Sequence, residues 1–89
     1  MEGVFFFYDM PHHVYILFSD SLQQYYTGST NDLAKRLNDH NNGWSKHTSK
    51  GLPWKMVYSR EYESRTEALK AENLIKKRGA KRFLQQIEG

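Results

Sequence analysis

The sequence predicts an α+β domain on a small, mainly antiparallel sheet, with elements in the order β-β-α-β-α-α. Two observations carry this. Two short tyrosine-bearing segments, Val14–Phe18 and Tyr25–Ser29, flank a polar stretch short enough for a hairpin. Helical patterns with stop and start signals then alternate with one further strand-like run. The length of 89 residues fits one domain with one modest core.

Each element has a local reason. Val14 to Phe18 is a continuous apolar run rich in β-formers, as expected of a central strand covered on both faces. Tyr25–Ser29 is the return strand, and Gly28 marks a sharp turn or a close approach. Thr30 or Asn31 is the expected cap of a helix running to about Asn41. Leu33, Ala34 and Leu37 form its expected core stripe, with Arg36 and His40 on the margin. Asn42-Gly43 stops it, and a polar loop from Gly43 to Pro53 carries Trp44, Lys46, His47 and Lys50.

Trp54–Tyr62 is the third strand, with Trp54, Met56, Tyr58 and Tyr62 expected on one face. Ser64-Arg65-Thr66-Glu67 is a capping box opening the second long helix. Ala68, Ala71, Glu72 and Ile75 occupy its stripe positions, and Gly79 closes it. Ala80–Glu88 is a last short helix with Phe83, Leu84 and Ile87 inward. The domain is expected to span 10–89, with Met10 just ahead of the first strand. Residues 1–9 form an extension outside it, or else Phe5–Phe7 pair with a sheet edge or a second subunit.

Composition narrows the function. There is no cysteine, so no disulfide framework and no thiolate metal site, which suits a reducing cytoplasm. No run approaches the roughly 18 apolar residues of a membrane span. The formal charge is +3 and unevenly placed: residues 1–64 hold six Lys/Arg against seven Asp/Glu, and residues 65–89 hold seven against three. Lys76, Lys77, Arg78, Lys81 and Arg82 make the C-terminal end basic, which fits DNA or RNA as partner or a solvated helix end. There is no Walker loop, no zinc spacing among the four histidines and no Gly-x-Ser-x-Gly elbow.

Five side chains stand out as a set for handling a phosphate. Arg36 and His40 lie four residues apart on one side of a helix. Arg36 offers a two-pronged phosphate donor and His40 a proton relay near neutral pH; a surface arginine and a helix-end histidine are the plainer alternatives. Tyr15 and Tyr26 bind phosphate, pass a proton, or simply pack. Glu72 sits on an apolar stripe, where a lone carboxylate is costly. It is either a ligand for one divalent metal, Mg²⁺ or Mn²⁺, or half of an i,i+4 pair with Lys76. In the central loop, Trp44 stacks on a base with Lys46 and Lys50 on phosphates, or else the loop is a solvated connection.

These residues resemble a known family. HVY at 13–15, YTG at 26–28, Arg36, His40 and Glu72 are similar to the GIY-YIG nuclease superfamily, and the match covers roughly residues 12–84. VYIL, YYTGST-x-DL, RL-x-x-HN-x-G, PW-x-x-VY and EA-x-x-x-E-x-x-IKK carry it together. The chain looks most like the small stand-alone bacterial members, which are related to the N-terminal nuclease domain of the excision-repair incision subunit. The resemblance implies a three-stranded antiparallel sheet flanked by helices and metal-dependent hydrolysis of a DNA phosphodiester, in repair or recombination. It implies that Tyr15 and Tyr26 position or deprotonate the attacking water, Arg36 stabilises phosphate charge, His40 assists proton transfer and Glu72 is the single metal ligand. Departures are His13 for the first motif's glycine, Thr27 for the second motif's aliphatic, Ser29 where some relatives have lysine, and Leu84 near a position often held by asparagine.

DNA is the expected partner, contacted by Trp44, Lys46, Lys50, Lys76 and Lys77, by a monomer or weak dimer with no small-molecule cofactor. The alternative is a non-catalytic nucleic-acid-binding domain that retains the fold.

Overall fold

The computed structural model describes residues 11–43 and 48–88. Phe5–Phe7, the 1–9 extension and Met10, and the loop residues Trp44, Lys46 and His47, lie outside the described residues.

The elements are β1 (His12–Ser19), β2 (Gln24–Thr30), α1 (Leu33–Asn41), β3 (Trp54–Tyr62), α2 (Arg65–Arg78) and α3 (Ala80–Glu88), with a 3₁₀ turn at Ser49–Gly51. They form the expected α+β order on a three-stranded antiparallel sheet, β2-β1-β3. The apolar run makes β1 the central strand, because only a strand with partners on both sides and layers on both faces buries residues of both parities.

Those two parities feed two cores. Val14 and Ile16 pack with Ala68 and Ile75 of α2 and with Ala80, Phe83 and Leu84 of α3. Tyr15 and Leu17 point the other way, with Trp54, Met56 and Tyr26 against Leu33 and Leu37 of α1. The sheet is thus a middle layer, with α1 on one face and α2 and α3 on the other.

The expected single stripe on β3 is corrected by a bulge. Met56 pairs with Leu17 and Tyr58 with the adjacent Ile16, so Val57 is an extra residue. The insertion flips the parity: Trp54 and Met56 face α1, whereas Tyr58 and Tyr62 face α2 and α3.

Helix ends follow side-chain chemistry. The cap of α1 is Asp32, whose Oδ1 accepts from Lys35 N at 3.0 Å, rather than Thr30 or Asn31. Thr30 Oγ1 instead accepts from Asp32 N at 3.1 Å, which sets up that cap. Ser64 caps α2 by accepting from Glu67 N, and Gly79 ends it at φ 96°, a backbone state that disfavours a side chain.

Two expected core positions are not core. Ala34 is exposed, because the stripe of α1 runs Leu33, Leu37, His40 and takes the imidazole into the sheet instead. Ile87 is 53% exposed near the end of α3, beyond the reach of the sheet.

Candidate active site on the β2 side of the sheet

Tyr15 lies in the middle of β1, opposite Gly28 of β2. Its ring crosses that glycine: a Cβ there would sit 2.5 Å from the phenol oxygen and 2.7 Å from Cζ. Gly28 is therefore required by close approach, and it lets the phenol tip lie against the edge strand.

The phenol oxygen is 3.1 Å from His40 Nε2. His40 is fully buried, not marginal as its helix position implied, and its Nδ1 is 2.9 Å from Thr48 Oγ1. The Arg36 guanidinium acts on the Tyr15 phenol as well, and its positive charge favours the phenolate. A phenol donates or accepts, so the direction of the Tyr15–His40 bond follows the His40 tautomer: with Nε2 bare, the phenol donates to it. In that tautomer Nδ1 carries the proton and donates to Thr48 Oγ1. Tyr15, His40 and Thr48 then form a chain with one consistent direction of donation.

Tyr26 completes an aromatic box. Its ring meets His40 edge-on with centroids 4.9 Å apart, and lies 6.4 Å from Tyr15 and 6.3 Å from Trp54. Trp54 is fixed by a donation from Nε1 to Thr48 O at 2.6 Å, and by Asn41, whose Oδ1 accepts from Trp54 N. Asn41 Nδ2 returns a bond to Trp54 O, which ties the end of α1 to the start of β3.

Glu72 approaches from α2. Its Oε1 accepts from Ser29 Oγ at 2.8 Å, and its Oε2 lies 2.8 Å from Lys76 Nζ. The i,i+4 pair weighed from the sequence is therefore formed. Its side chain is nonetheless only 12% exposed, and the carboxylate acts electrostatically on the Tyr15 phenol.

Burial dominates the proton chemistry. It pushes the Tyr15 phenol up to about 12, with Tyr26 and Glu72 adding to the rise and Arg36 opposing it. Burial likewise lowers the His40 pKa, aided by the Arg36 charge and opposed by Asp39. Both groups rest neutral at physiological pH.

The structure thus brings Tyr15, Tyr26, Arg36, His40 and Glu72 into one electrostatically linked neighbourhood. Of the residues expected to touch nucleic acid, Lys50 and Lys77 are exposed and Lys76 is engaged with Glu72. His13, in the first motif, has Nε2 3.7 Å from Glu61 Oε1, and its buried Nδ1 has no hydrogen-bond partner among the described residues. Sequence reasoning did not single out Thr48, because a threonine in a polar loop carries no periodicity. It noted Ser29 only as a departure, without its bond to Glu72.

Among the described residues no three His, Cys, Asp or Glu side chains gather to hold an ion. One hard carboxylate with a hydroxyl beside it does fit Mg²⁺ or Mn²⁺ shared with a substrate phosphate and water, which need few protein ligands.

Comparison with known proteins identifies the family of the chain. A UPF0213 protein of Streptococcus agalactiae is 41% identical over 70 residues, covering 78% of each chain. Another, of Clostridium perfringens, is 42% identical over 84% of this chain and 81% of its own. The solution NMR structure of a UPF0213 protein from Bacillus halodurans superposes with a TM-score of 0.55 at 30% identity, covering 89% of this chain and 84% of that one. Residues 11–85 match the family described as the GIY-YIG catalytic domain. The chain belongs to the GIY-YIG family.

Proposed function

We propose that this protein is a divalent-metal-dependent endonuclease that hydrolyses DNA phosphodiester bonds in repair or recombination. The observation that carries the reading is the position of the Tyr15 phenol, hydrogen-bonded to His40 and within electrostatic reach of Arg36 and Glu72. Bacterial relatives support a bacterial setting, and no helix among the described residues is long and apolar enough to cross a membrane.

Glu72 would hold one Mg²⁺ or Mn²⁺, which supplies Lewis-acid stabilisation of phosphate charge when bound. The chain's own residues do the rest. Arg36 donates to the phosphate oxygens as negative charge grows there. Tyr15 takes a proton from water as its own proton passes to His40 Nε2, so no free phenolate builds up against a pKa of about 12. The water oxygen bonds to phosphorus while the bond from phosphorus to the leaving 3′ oxygen breaks, and that oxygen takes a proton from solvent water. The imidazolium formed at His40 is short-lived, because burial and Arg36 both oppose its charge. Tyr26 holds the imidazole ring in place by its edge contact.

Lys50 and Lys77, with Trp44 and Lys46 of the central loop, are proposed to contact DNA. The rival reading, a binding domain without catalysis, draws on the Lys76 ion pair at Glu72. One experiment separates them: nicked, branched and linear DNA incubated with the protein and Mn²⁺ or Mg²⁺. Cleavage is expected from the wild type and lost in Glu72→Ala and Arg36→Ala proteins that keep the native circular dichroism. Unchanged cleavage by folded Glu72→Ala removes the proposed role of that carboxylate, and binding without cleavage supports the rival.

A further inference from the structure

Both oxygens of Glu72 are already engaged. Ser29 donates to Oε1, and Lys76 Nζ stands against Oε2, each at 2.8 Å. The two partners differ in kind. Ser29 is neutral, belongs to a strand and lies 43 residues from Glu72 in sequence, so its hydroxyl orients the carboxylate whatever else binds. Lys76 is a cation on a flexible stem, 53% exposed, one helical turn beyond Glu72. An ammonium and a divalent ion on one poorly hydrated carboxylate oxygen repel each other strongly.

The geometry points to Lys76 as a displaceable counter-ion that neutralises Glu72 in the metal-free protein and leaves Oε2 when a divalent ion binds. This rests on the assignment of Glu72 as metal ligand made above. The solvent-side stem of Lys76 gives the ammonium a route out, whereas the mostly buried carboxylate stays where Ser29 and the sheet hold it. The pair spares the carboxylate the cost of being buried without a partner. It also opposes metal entry, so Lys76 sets the ion concentration at which the site loads.

The test is Mn²⁺ binding to the free protein, followed by the paramagnetic resonance signal of unbound Mn²⁺. Wild type, Lys76→Met, Lys76→Arg and Glu72→Gln proteins are compared, with thermal melting in the absence of metal as a second measurement. Lys76→Met is expected to bind Mn²⁺ roughly three- to tenfold more tightly, the scale of a partly solvated ion pair. The same variant melts at or below the wild-type temperature without metal. Lys76→Arg keeps the charge and binds close to wild type. An ion pair that merely supports the helix predicts equal or weaker Mn²⁺ binding by Lys76→Met, and that result overturns the counter-ion role. If Glu72→Gln loses Mn²⁺ binding while Lys76→Met is unchanged, the counter-ion role alone falls. If Glu72→Gln binds Mn²⁺ as the wild type does, the ligand assignment fails and the counter-ion role fails with it.

Discussion

Tyr15 Oη and His40 Nε2 are joined by a buried hydrogen bond of 3.1 Å that links β1 to α1 across 25 residues of sequence. Burial moves the two partners in opposite directions, the phenol up and the imidazole down. Each shift favours the neutral form, so the resting pair is a neutral phenol beside a neutral imidazole. Proton transfer along this bond is uphill at rest.

The acid side of stability follows from His40. Its pKa in the fold lies below the ordinary 6.5, so the unfolded chain takes up the proton first as pH falls. The stabilisation from a neutral His40 is complete above about pH 6.5 and is lost as pH drops through the folded value. Melting temperatures followed downward from neutral pH should decline in this window. His40→Gln should melt lower at neutral pH but show a flatter acid dependence; an unchanged slope removes His40 as the cause.

The alkaline side follows from Tyr15. Its pKa is raised from 10.0 to about 12, so its stabilisation is complete below 10 and is lost as pH climbs through about 12. Ultraviolet titration of phenolate absorbance should show late-ionising tyrosine, since Tyr58 is also raised by burial. Tyr15→Phe should remove the latest component and leave the Tyr58 component. A wild-type titration with every phenol near 10 contradicts the buried placement.

Gly28→Ala should be costly although alanine is small. The new Cβ would fall 2.5 Å from the Tyr15 phenol oxygen, and the ring is held by His40 on its far side. Overpacking of this kind costs about 1–3 kcal/mol. Urea unfolding should show that loss, and the Tyr15→Phe/Gly28→Ala double mutant should regain only part of it, because Cζ would still lie 2.7 Å away. Full wild-type stability in Gly28→Ala means that the phenol does not cross the strand as described.

Much of this arrangement was legible before any coordinates. The five-residue apolar run of β1 required cover on both faces, and the capping box and Gly79 bounded α2. Glu72 on an apolar stripe and the Arg36–His40 spacing marked elements that meet around the Tyr15 phenol. What escaped has local causes. The Val57 bulge leaves no trace in alternation, because β3 reads as one regular strand until its pairing with Ile16 and Leu17 is known. The burial of His40 depended on tertiary partners, Tyr15 and Thr48, that spacing along α1 cannot reveal. The sharing of Glu72 between Ser29 and Lys76 joins a metal reading and an ion-pair reading that sequence treats as rivals.

Thr48 offers the most direct test of the relay. Its hydroxyl is 2.9 Å from His40 Nδ1 and can accept a proton donated by it, which is the tautomer the relay requires, with Nε2 bare to accept the Tyr15 proton. Thr48→Val keeps the shape of the side chain and removes the hydroxyl. The expected loss of stability is about 1 kcal/mol, the net worth of a typical hydrogen bond. The expected loss of cleavage is larger, on the order of 10²-fold in kcat, because a proton on Nε2 blocks transfer from the phenol. KM should change little, since Thr48 sits behind the imidazole in the interior and is fully buried. Thr48→Ser, which restores a hydroxyl, should recover most of the rate. Nitrogen NMR of His40 reads the tautomer independently of turnover: wild type and Thr48→Ser should carry the proton on Nδ1, and Thr48→Val should shift it toward Nε2. If the tautomer shifts and the rate does not, proton transfer does not run through His40, and the imidazole serves only to hold the phenol in place.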